Sequence, residues 1–233
     1  MYKRQRKAFG SNTFDYAFFD NRPYTQYSSL LLRSTNSDHR SCRMRDAVLG
    51  EISEGLGLYY QAAQPIVVYL NGEYFGHYNL RERVSEYFVA QHEGLSMDQA
   101  KSIDVLESNG TKSSQINNGT NAEWKALITK VKTLSPGKNP EDLQYILDNI
   151  DVDNYFDYVI LECLFANTDT GNIRFYKVPG GKWKWIMYDM DYGLYFSNSN
   201  GVGNYLNPSG YHGANNDISN VLILKPVSYT HLT

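Results

Sequence analysis

Residues 65–83 of the chain read PIVVYLNGEYFGHYNLRER. The segment begins with an apolar run rich in β-branched side chains, which is typical of a strand. Asn71 and Gly72 then supply the two positive φ angles of a type I′ turn, so the stretch predicts a tight β-hairpin. The chain returns through residues 73–80, and we expect a helix to begin within residues 81–93.

Shorter patterns predict further elements on both sides of this hairpin. Residues 28–34 and 103–107 are apolar runs that favour buried strands. Between residues 43 and 58, Met44, Val48, Ile52 and Leu56 recur every four positions, which predicts an amphipathic helix with these side chains on its buried face. Residues 108–121 are rich in Ser, Asn, Gly and Thr, which favours a mobile loop.

The second half of the chain predicts helices followed by another hairpin. Helices are expected over residues 123–134, 141–150 and 152–166, with Asp151 or Asp153 capping the last one. Residues 173–178 and 183–188 predict strands joined by a Pro-Gly-Gly turn, with Trp183 and Trp185 packing on one face. Residues 197–217 are expected to be irregular. Because strands and helices are segregated along the chain, the pattern indicates an α+β fold.

The bulk composition narrows the classes of function. The chain has 233 residues with 42% hydrophobic and 20% charged residues, which fits a packed globular protein. A formal net charge of −3 gives no electrostatic reason to expect a nucleic-acid partner. No apolar run approaches the about 18 residues of a membrane helix. The cysteines, Cys42 and Cys163, could pair in an oxidising compartment, but we expect two buried thiols. We expect His77 to be structural.

Two acidic segments carry the chemistry that the sequence suggests. Residues 165–172 read FANTDTGN and residues 185–191 read WIMYDMD, so Asp169 lies three residues before Asn172 and Asp189 lies two before Asp191. One carboxylate can orient or deprotonate a hydroxyl group, while an amide oxygen and further carboxylates can hold Mg²⁺ against phosphates. Two carboxylates on one strand face repel each other unless a cation lies between them. The pattern therefore favours phosphoryl transfer.

Three blocks of the sequence together resemble the spore-coat protein H family, the CotH-type atypical protein kinases. The first block runs from LLRS at residues 31–34 to Arg45-Asp46, and the second covers residues 68–83. The third runs from Asn167-Thr168-Asp169 to Asp189-Met190-Asp191. The second block is nearly a signature of the family, and the resemblance covers residues 28–225.

The resemblance implies a two-lobed, protein-kinase-like fold. Residues 6–82 would form an N-lobe with an antiparallel sheet and a helix. Residues 83–225 would form a mainly helical C-lobe with a β-hairpin, incomplete at its C-terminal end because the helical segment begun at residues 217–222 continues further in the family. Residues 1–5 and 226–233 resemble translated adapter sequence, so we expect a fragment of a longer protein. An extracytoplasmic location, on the cell surface or spore coat of a bacterium, is expected.

The resemblance also assigns roles to individual residues. Asp169 matches the catalytic aspartate, and Arg33 matches the strand residue that reaches the nucleotide phosphates, with Asp46 or Glu51 as its ionic partner. Glu82 lies at the hinge, near the adenine or ribose. The metal-binding positions are matched by Asn172, Asp189 and Asp191. The implied reaction moves the γ-phosphoryl group of ATP, with Mg²⁺ or Mn²⁺, to Ser or Thr hydroxyls of secreted or surface proteins.

Two functions of other classes stay open from the sequence. One is a non-catalytic structural or coat-assembly module that keeps the fold, and the other is a carbohydrate-binding module suggested by the many Tyr, Trp and Asn residues. The kinase hypothesis requires Asp169, Asn172 and the pair Asp189 and Asp191 to converge where Arg33 also points. The carbohydrate-binding hypothesis expects Asp169 and Asp189 to lie far apart.

Overall fold

The computed structural model describes residues 2–3, 10, 13–34, 36–109, 112–136, 138–169 and 171–206. Over these residues the chain is a mixed α/β protein with three sheets and six α-helices. The strands are β1 (Tyr2–Lys3), β2 (Phe14–Asp15), β3 (Gln26–Tyr27), β4 (Leu30–Arg33), β5 (Tyr59–Tyr60), β6 (Ala63–Leu70), β7 (Glu73–Glu82), β8 (Asp104–Asn109), β9 (Lys112–Asn118), β10 (Ile173–Lys177) and β11 (Lys184–Met187). The helices are α1 (Arg45–Ser53), α2 (Glu86–His92), α3 (Ala122–Val131), α4 (Pro140–Asn149), α5 (Val152–Leu164) and α6 (Gly201–Leu206).

The first sheet is built on the hairpin that the sequence predicted. Strands β6 and β7 pair antiparallel and turn at Asn71 and Gly72, whose φ angles are 52° and 86°. The sheet has the strand order β1-β4-β7-β6, and β4 pairs with β7 so that Arg33 lies opposite Asn79. Strand β7 continues to Glu82, and α2 starts only at Glu86, with Ser85 as its N-cap. The predicted hairpin is confirmed, and the helix after it begins within the expected range.

The second sheet contains the second predicted hairpin and three further strands. Its strand order is β5-β11-β10-β8-β9, and only the pairing of β5 with β11 is parallel. The loop expected over residues 108–121 is wrong, because residues 112–118 form β9 beside β8. An edge strand with exposed polar residues buries little apolar surface, so its composition resembles that of a loop. The region after residue 82, which was expected to be mainly helical, therefore also contributes four of the five strands of this sheet.

The largest hydrophobic core lies between this second sheet and helices α3, α4 and α5. Trp124 on α3 meets the rings of Phe175 and Trp183 with centroid separations of 4.5 and 5.2 Å. Trp183 and Trp185 are both almost completely buried, so their predicted packing role is confirmed. The side chains of Asn139 and Asp151 cap α4 and α5 by accepting backbone N–H bonds. These caps and the core fix the strand that leads to Asp189.

Helix α1 forms where the sequence predicts it, but its buried face differs. The expected apolar side chains, Met44, Val48, Ile52 and Leu56, are 42–53% exposed. The buried residues of α1 are instead Asp46, Leu49, Gly50 and Ser53. Asp46 is drawn inward by arginines of the first sheet, and Gly50 packs closely enough on Tyr60 that a Cβ atom would lie 3.2 Å from the ring.

Several smaller predictions have mixed outcomes. Cys42 is exposed and Cys163 is half-buried, and neither is paired, so the expected burial of Cys42 is wrong. No helix in the described ranges is long and apolar enough to cross a membrane. Residues 201–206 form α6 rather than irregular structure. The expected irregular segment beyond it, the helical start at residues 217–222 and the tail at 226–233 lie outside the described residues.

The aromatic core should dominate the stability of the second sheet. Phe175→Ala would leave a cavity among three tryptophan rings, and we expect it to lower the free energy of unfolding by about 3–5 kcal/mol. Phe156→Ala is the matched control, because this side chain on α5 is 47% exposed, and we expect a change within about 0.5 kcal/mol. Urea unfolding followed by tryptophan fluorescence measures both. Equal effects would contradict this location of the core.

Candidate active site

Arg33 joins the first sheet to the acidic segment after β11. It is the last residue of β4, and its guanidinium group binds the carboxylate of Asp189 directly. The same Nη2 atom lies 3.5 Å from Oδ2 of Asp191, and Nη1 lies 3.9 Å from Oδ2 of Asp46. A planar guanidinium group with several donors can serve three carboxylates at once. The structure therefore brings Arg33, Asp189 and Asp191 together, as the sequence predicted.

Asp46 is the buried ionic partner of Arg33, and Glu51 is not. The carboxylate of Asp46 binds the guanidinium group of Arg81 and accepts a 2.7 Å hydrogen bond from the backbone N–H of Met190. Burial alone would raise the pKa of Asp46, but the charges of Arg81 and Arg33 outweigh it and lower the pKa below its ordinary value. Glu51 is exposed on the same helix. Asp46 thus stays ionised and holds both arginines.

Asn172 connects the two acidic segments. Its Nδ2 atom donates to Oδ2 of Asp169 and to Oδ2 of Asp189, each at 3.0 Å. Burial and the nearby charge of Asp189 raise the pKa of Asp169 above its ordinary value. Asp189 has a φ of 60°, a left-handed conformation that Asp tolerates better than most residues. The three side chains converge, which is the arrangement that the kinase hypothesis requires and the carbohydrate-binding hypothesis does not.

Asp191 lies deeper than Asp189 and is 3% exposed. Its Oδ2 atom accepts a 3.4 Å bond from the backbone N–H of Ser37, and Arg45 donates to its carbonyl oxygen. Burial and the charge of Asp189 raise the pKa of Asp191 to about 6. Asp191 therefore ionises less readily than an ordinary aspartate.

Glu82 lies outside this cluster. Its carboxylate is 2% exposed and accepts hydrogen bonds from Arg22, Tyr24 and the backbone N–H of Ala62. These bonds fasten the segment before β3 to the end of β7. A nucleotide contact by Glu82 stays a prediction, and such a contact would have to compete with three bonds inside the protein.

Two residues of this region were missed by the sequence analysis. Arg81 lies in the second block of the resemblance but received no role from it, although it is 3% exposed and paired with Asp46. Glu162 on α5 is 1% exposed, and burial is the main cause that raises its pKa to about 7. A signal for Glu162 was present, because it is a lone acidic residue within the apolar run of residues 159–165.

The oxygen atoms at the site are of the kind that bind a hard divalent cation. Asp189 and Asp191 offer carboxylate oxygens and Asn172 an amide oxygen, which are the ligand types that Mg²⁺ and Mn²⁺ prefer. Within the described part of the chain, no group of three or more His, Cys, Asp or Glu side chains is assembled to hold a metal ion. The charge that balances Asp189 and Asp191 in this structure comes from Arg33. The chemical types of these donors fit such an ion, although in this structure Arg33 takes the place of the cation and Asn172 turns its Nδ2 atom, not its oxygen, toward Asp169 and Asp189.

Comparison with known proteins gives one family. A family model described as CotH kinase protein matches residues 2–227, which is nearly the whole chain. No curated protein matches the chain. The matched range contains every residue of the cluster around Arg33 and Asn172.

The buried charges around Asp46 should be essential for folding. Asp46→Asn keeps the size of the side chain but leaves Arg81 without its carboxylate, so we expect a loss of about 3–5 kcal/mol in the free energy of unfolding. Glu51→Gln on the exposed side of α1 is the control and should change it by less than about 0.5 kcal/mol. Urea unfolding of both variants measures the difference. A small loss for Asp46→Asn would show that the arginines are not held by this residue.

Glu162 should make the protein less stable as pH rises. Its pKa is about 7 in the folded protein and 4.5 as a reference value, so between these values only the folded state keeps the proton. The free energy of unfolding should therefore fall from about pH 4.5 to pH 7 and change no further above that from this group.

The variant Glu162→Gln removes this titration. Its stability relative to wild type should rise by an amount on the order of 3 kcal/mol between pH 4.5 and 7.5, measured by urea unfolding at intermediate values. Stability curves that run parallel over this range would contradict the assignment.

Proposed function

The chain belongs to the CotH kinase protein family, and on this premise we propose that it transfers the γ-phosphoryl group of ATP to Ser or Thr hydroxyl groups of secreted or surface proteins. The observation that carries the proposal is the bridge from Asp169 through Asn172 to Asp189, with Arg33 bound at its end. Phosphoryl transfer needs one group that takes the hydroxyl proton and several that balance phosphate charge. The cluster offers both within one network.

In this proposal Asp169 accepts the proton of the substrate hydroxyl. Its carboxylate is half-buried, and its raised pKa brings it closer to the range in which a carboxylate acts as a base. Asn172 fixes the orientation of Asp169 by donating to one of its oxygens. In this proposal the other carboxylate oxygen, to which no described residue is seen to donate, receives the incoming hydroxyl group.

Asn172, Asp189 and Asp191 would hold Mg²⁺ or Mn²⁺. Such an ion, when bound, neutralises the charge that develops on the phosphate oxygens. Arg33 keeps Asp189 and Asp191 close in spite of their repulsion, and its guanidinium donors are suited to phosphate oxygens. Asp46 on α1 lies within ion-pair distance of Arg33 and also binds Arg81 on β7, and these contacts keep Arg33 in place.

We also propose that the two lobes implied by the family meet at this cluster. The first sheet and α1 contribute Arg33, Arg81 and Asp46, and the later part of the chain contributes Asp169 and Asp189. The connection through residues 80–83 would be the hinge. One strand pairing crosses the proposed boundary between residues 82 and 83: β5 lies before the boundary and pairs with β11, which lies after it.

Nucleotide binding can be tested apart from catalysis. ATP with Mg²⁺ or Mn²⁺ should raise the melting temperature of the wild-type protein in a thermal-shift titration, since a ligand that binds only the folded state stabilises it. Asp189→Ala should lose the metal-dependent part of this shift. Asp148→Ala, an exposed position on α4, should keep it. A wild-type protein that folds and shows no shift would contradict the proposal.

Catalysis is tested with γ-labelled ATP and a Ser- and Thr-rich acceptor protein. Asp169→Asn should lower kcat about 10²–10⁴-fold while the thermal shift with ATP stays as in wild type, because only proton acceptance is removed. A wild-type protein that binds ATP with metal but transfers no phosphate would instead favour the non-catalytic structural module.

A further inference from the structure

The end of α5 has the hydrogen bonds of a Schellman motif. The N–H of Ala166 donates to the carbonyl of Cys163 at 3.1 Å, and the N–H of Asn167 donates to the carbonyl of Glu162 at 3.2 Å. Ala166 has a φ of 46°, the left-handed conformation that this motif needs and that normally favours Gly. The turn delivers the chain directly into the Asp169 segment.

The side chains of this motif are unusual in their chemistry. The positions of Glu162 and Asn167 commonly carry an apolar pair that packs across the turn. Here both are polar, and they are 1% and 4% exposed. The carboxyl group of Glu162 is hydrogen-bonded by the side chains of Tyr158 and Asn167, whereas its Oε2 atom has no partner. A buried polar atom without a partner destabilises the fold, so an apolar residue would serve the helix end better.

Asn167 has further contacts that reach both acidic segments. Its Oδ1 atom accepts a 3.2 Å hydrogen bond from the backbone N–H of Asp169. Its Nδ2 atom lies 3.5 Å from the Sδ atom of Met190, the residue between the two aspartates after β11. One amide group therefore joins Glu162, the Asp169 backbone and the segment that carries Asp189.

We propose that Glu162 is a positioning residue that acts through Asn167 to fix the backbone of Asp169 and the position of Met190. The catalytic consequence of this positioning rests on the proposed function, whereas the contacts of Glu162 and Asn167 are observed independently of it. Glu162 touches neither Asp169 nor any residue assigned to the cation. Its effect passes through the amide of Asn167, whose orientation Glu162 determines.

Burial, first of all, and then the charges of Asp169 and Asp189 favour the neutral form of Glu162 and raise its pKa. Together they outweigh the hydrogen bonds from Tyr158 and Asn167, which favour the charged form. A neutral carboxyl group avoids another negative charge behind two carboxylates. Gln has the same shape and the same acceptor without titration, whereas Leu has neither acceptor nor donor. These two substitutions therefore separate the hydrogen bond from simple packing.

The experiment compares Glu162→Leu and Glu162→Gln in the whole chain. Glu162→Leu should unfold at the same or higher urea concentration than wild type, because it supplies the apolar contact common at this turn. Hydrogen exchange of the Asp169 amide should become at least tenfold faster. The kcat of phosphate transfer should fall at least tenfold, with KM for ATP within twofold. Glu162→Gln should match wild type in exchange and kcat, and Glu141→Leu on the exposed face of α4 is the substitution control.

The outcomes decide the inference separately from the proposed function. Wild-type exchange and kcat in a folded Glu162→Leu protein would overturn the inference and leave the kinase proposal intact. If wild type transfers no phosphate, the exchange rate of the Asp169 amide still tests the positioning role. If Glu162→Leu does not fold, the double variant Glu162→Leu with Asn167→Leu restores an apolar pair, and it should show the same faster exchange. Unchanged exchange there would also overturn the inference.

Discussion

The carboxylate of Asp46 is the point on which the architecture of the site depends. It lies at the inner face of α1, binds Arg81 and Arg33 from two neighbouring strands, and accepts the backbone N–H of Met190. A buried carboxylate is unstable without such partners, and the two guanidinium groups are equally unstable without the carboxylate. Helix, sheet and acidic segment are therefore held together by charges that none of them could bury alone.

This ionic centre explains how several aspartates can lie close together. The pKa values of Asp169 and Asp191 rise, first because both carboxylates are partly removed from water and then because the charge of Asp189 repels them. Arg33 supplies the balancing charge on one side, and the amide of Asn172 joins Asp169 to Asp189 on the other. The left-handed backbone at Asp189 is held in place by these contacts.

The second sheet and its aromatic core give this polar cluster a rigid base. Trp124, Phe175 and Trp185 are packed ring against ring beneath the strands that end near Asn172 and Asp189. Polar groups such as Glu162 are buried close to the cluster at a cost in stability, and the apolar core offsets it. Local destabilisation next to reacting groups, supported by a well-packed core elsewhere, is common in enzymes.

The sequence by itself determined the elements whose signals are local. Asn71 and Gly72 specify a tight turn, the cap of α5 was narrowed to Asp151 or Asp153, and the acidic residues of the site are recognisable from their spacing. The tertiary structure alone decided the buried face of α1, the strand β9, the choice of Asp46 over Glu51, the burial of Glu82 and the pairing of Glu162 with Asn167. Periodicity assumes that apolar side chains point inward, and it fails wherever a charged group finds its partner far away in the chain. Arg81 and Asp46 are such a pair, and only the folded chain brings them together.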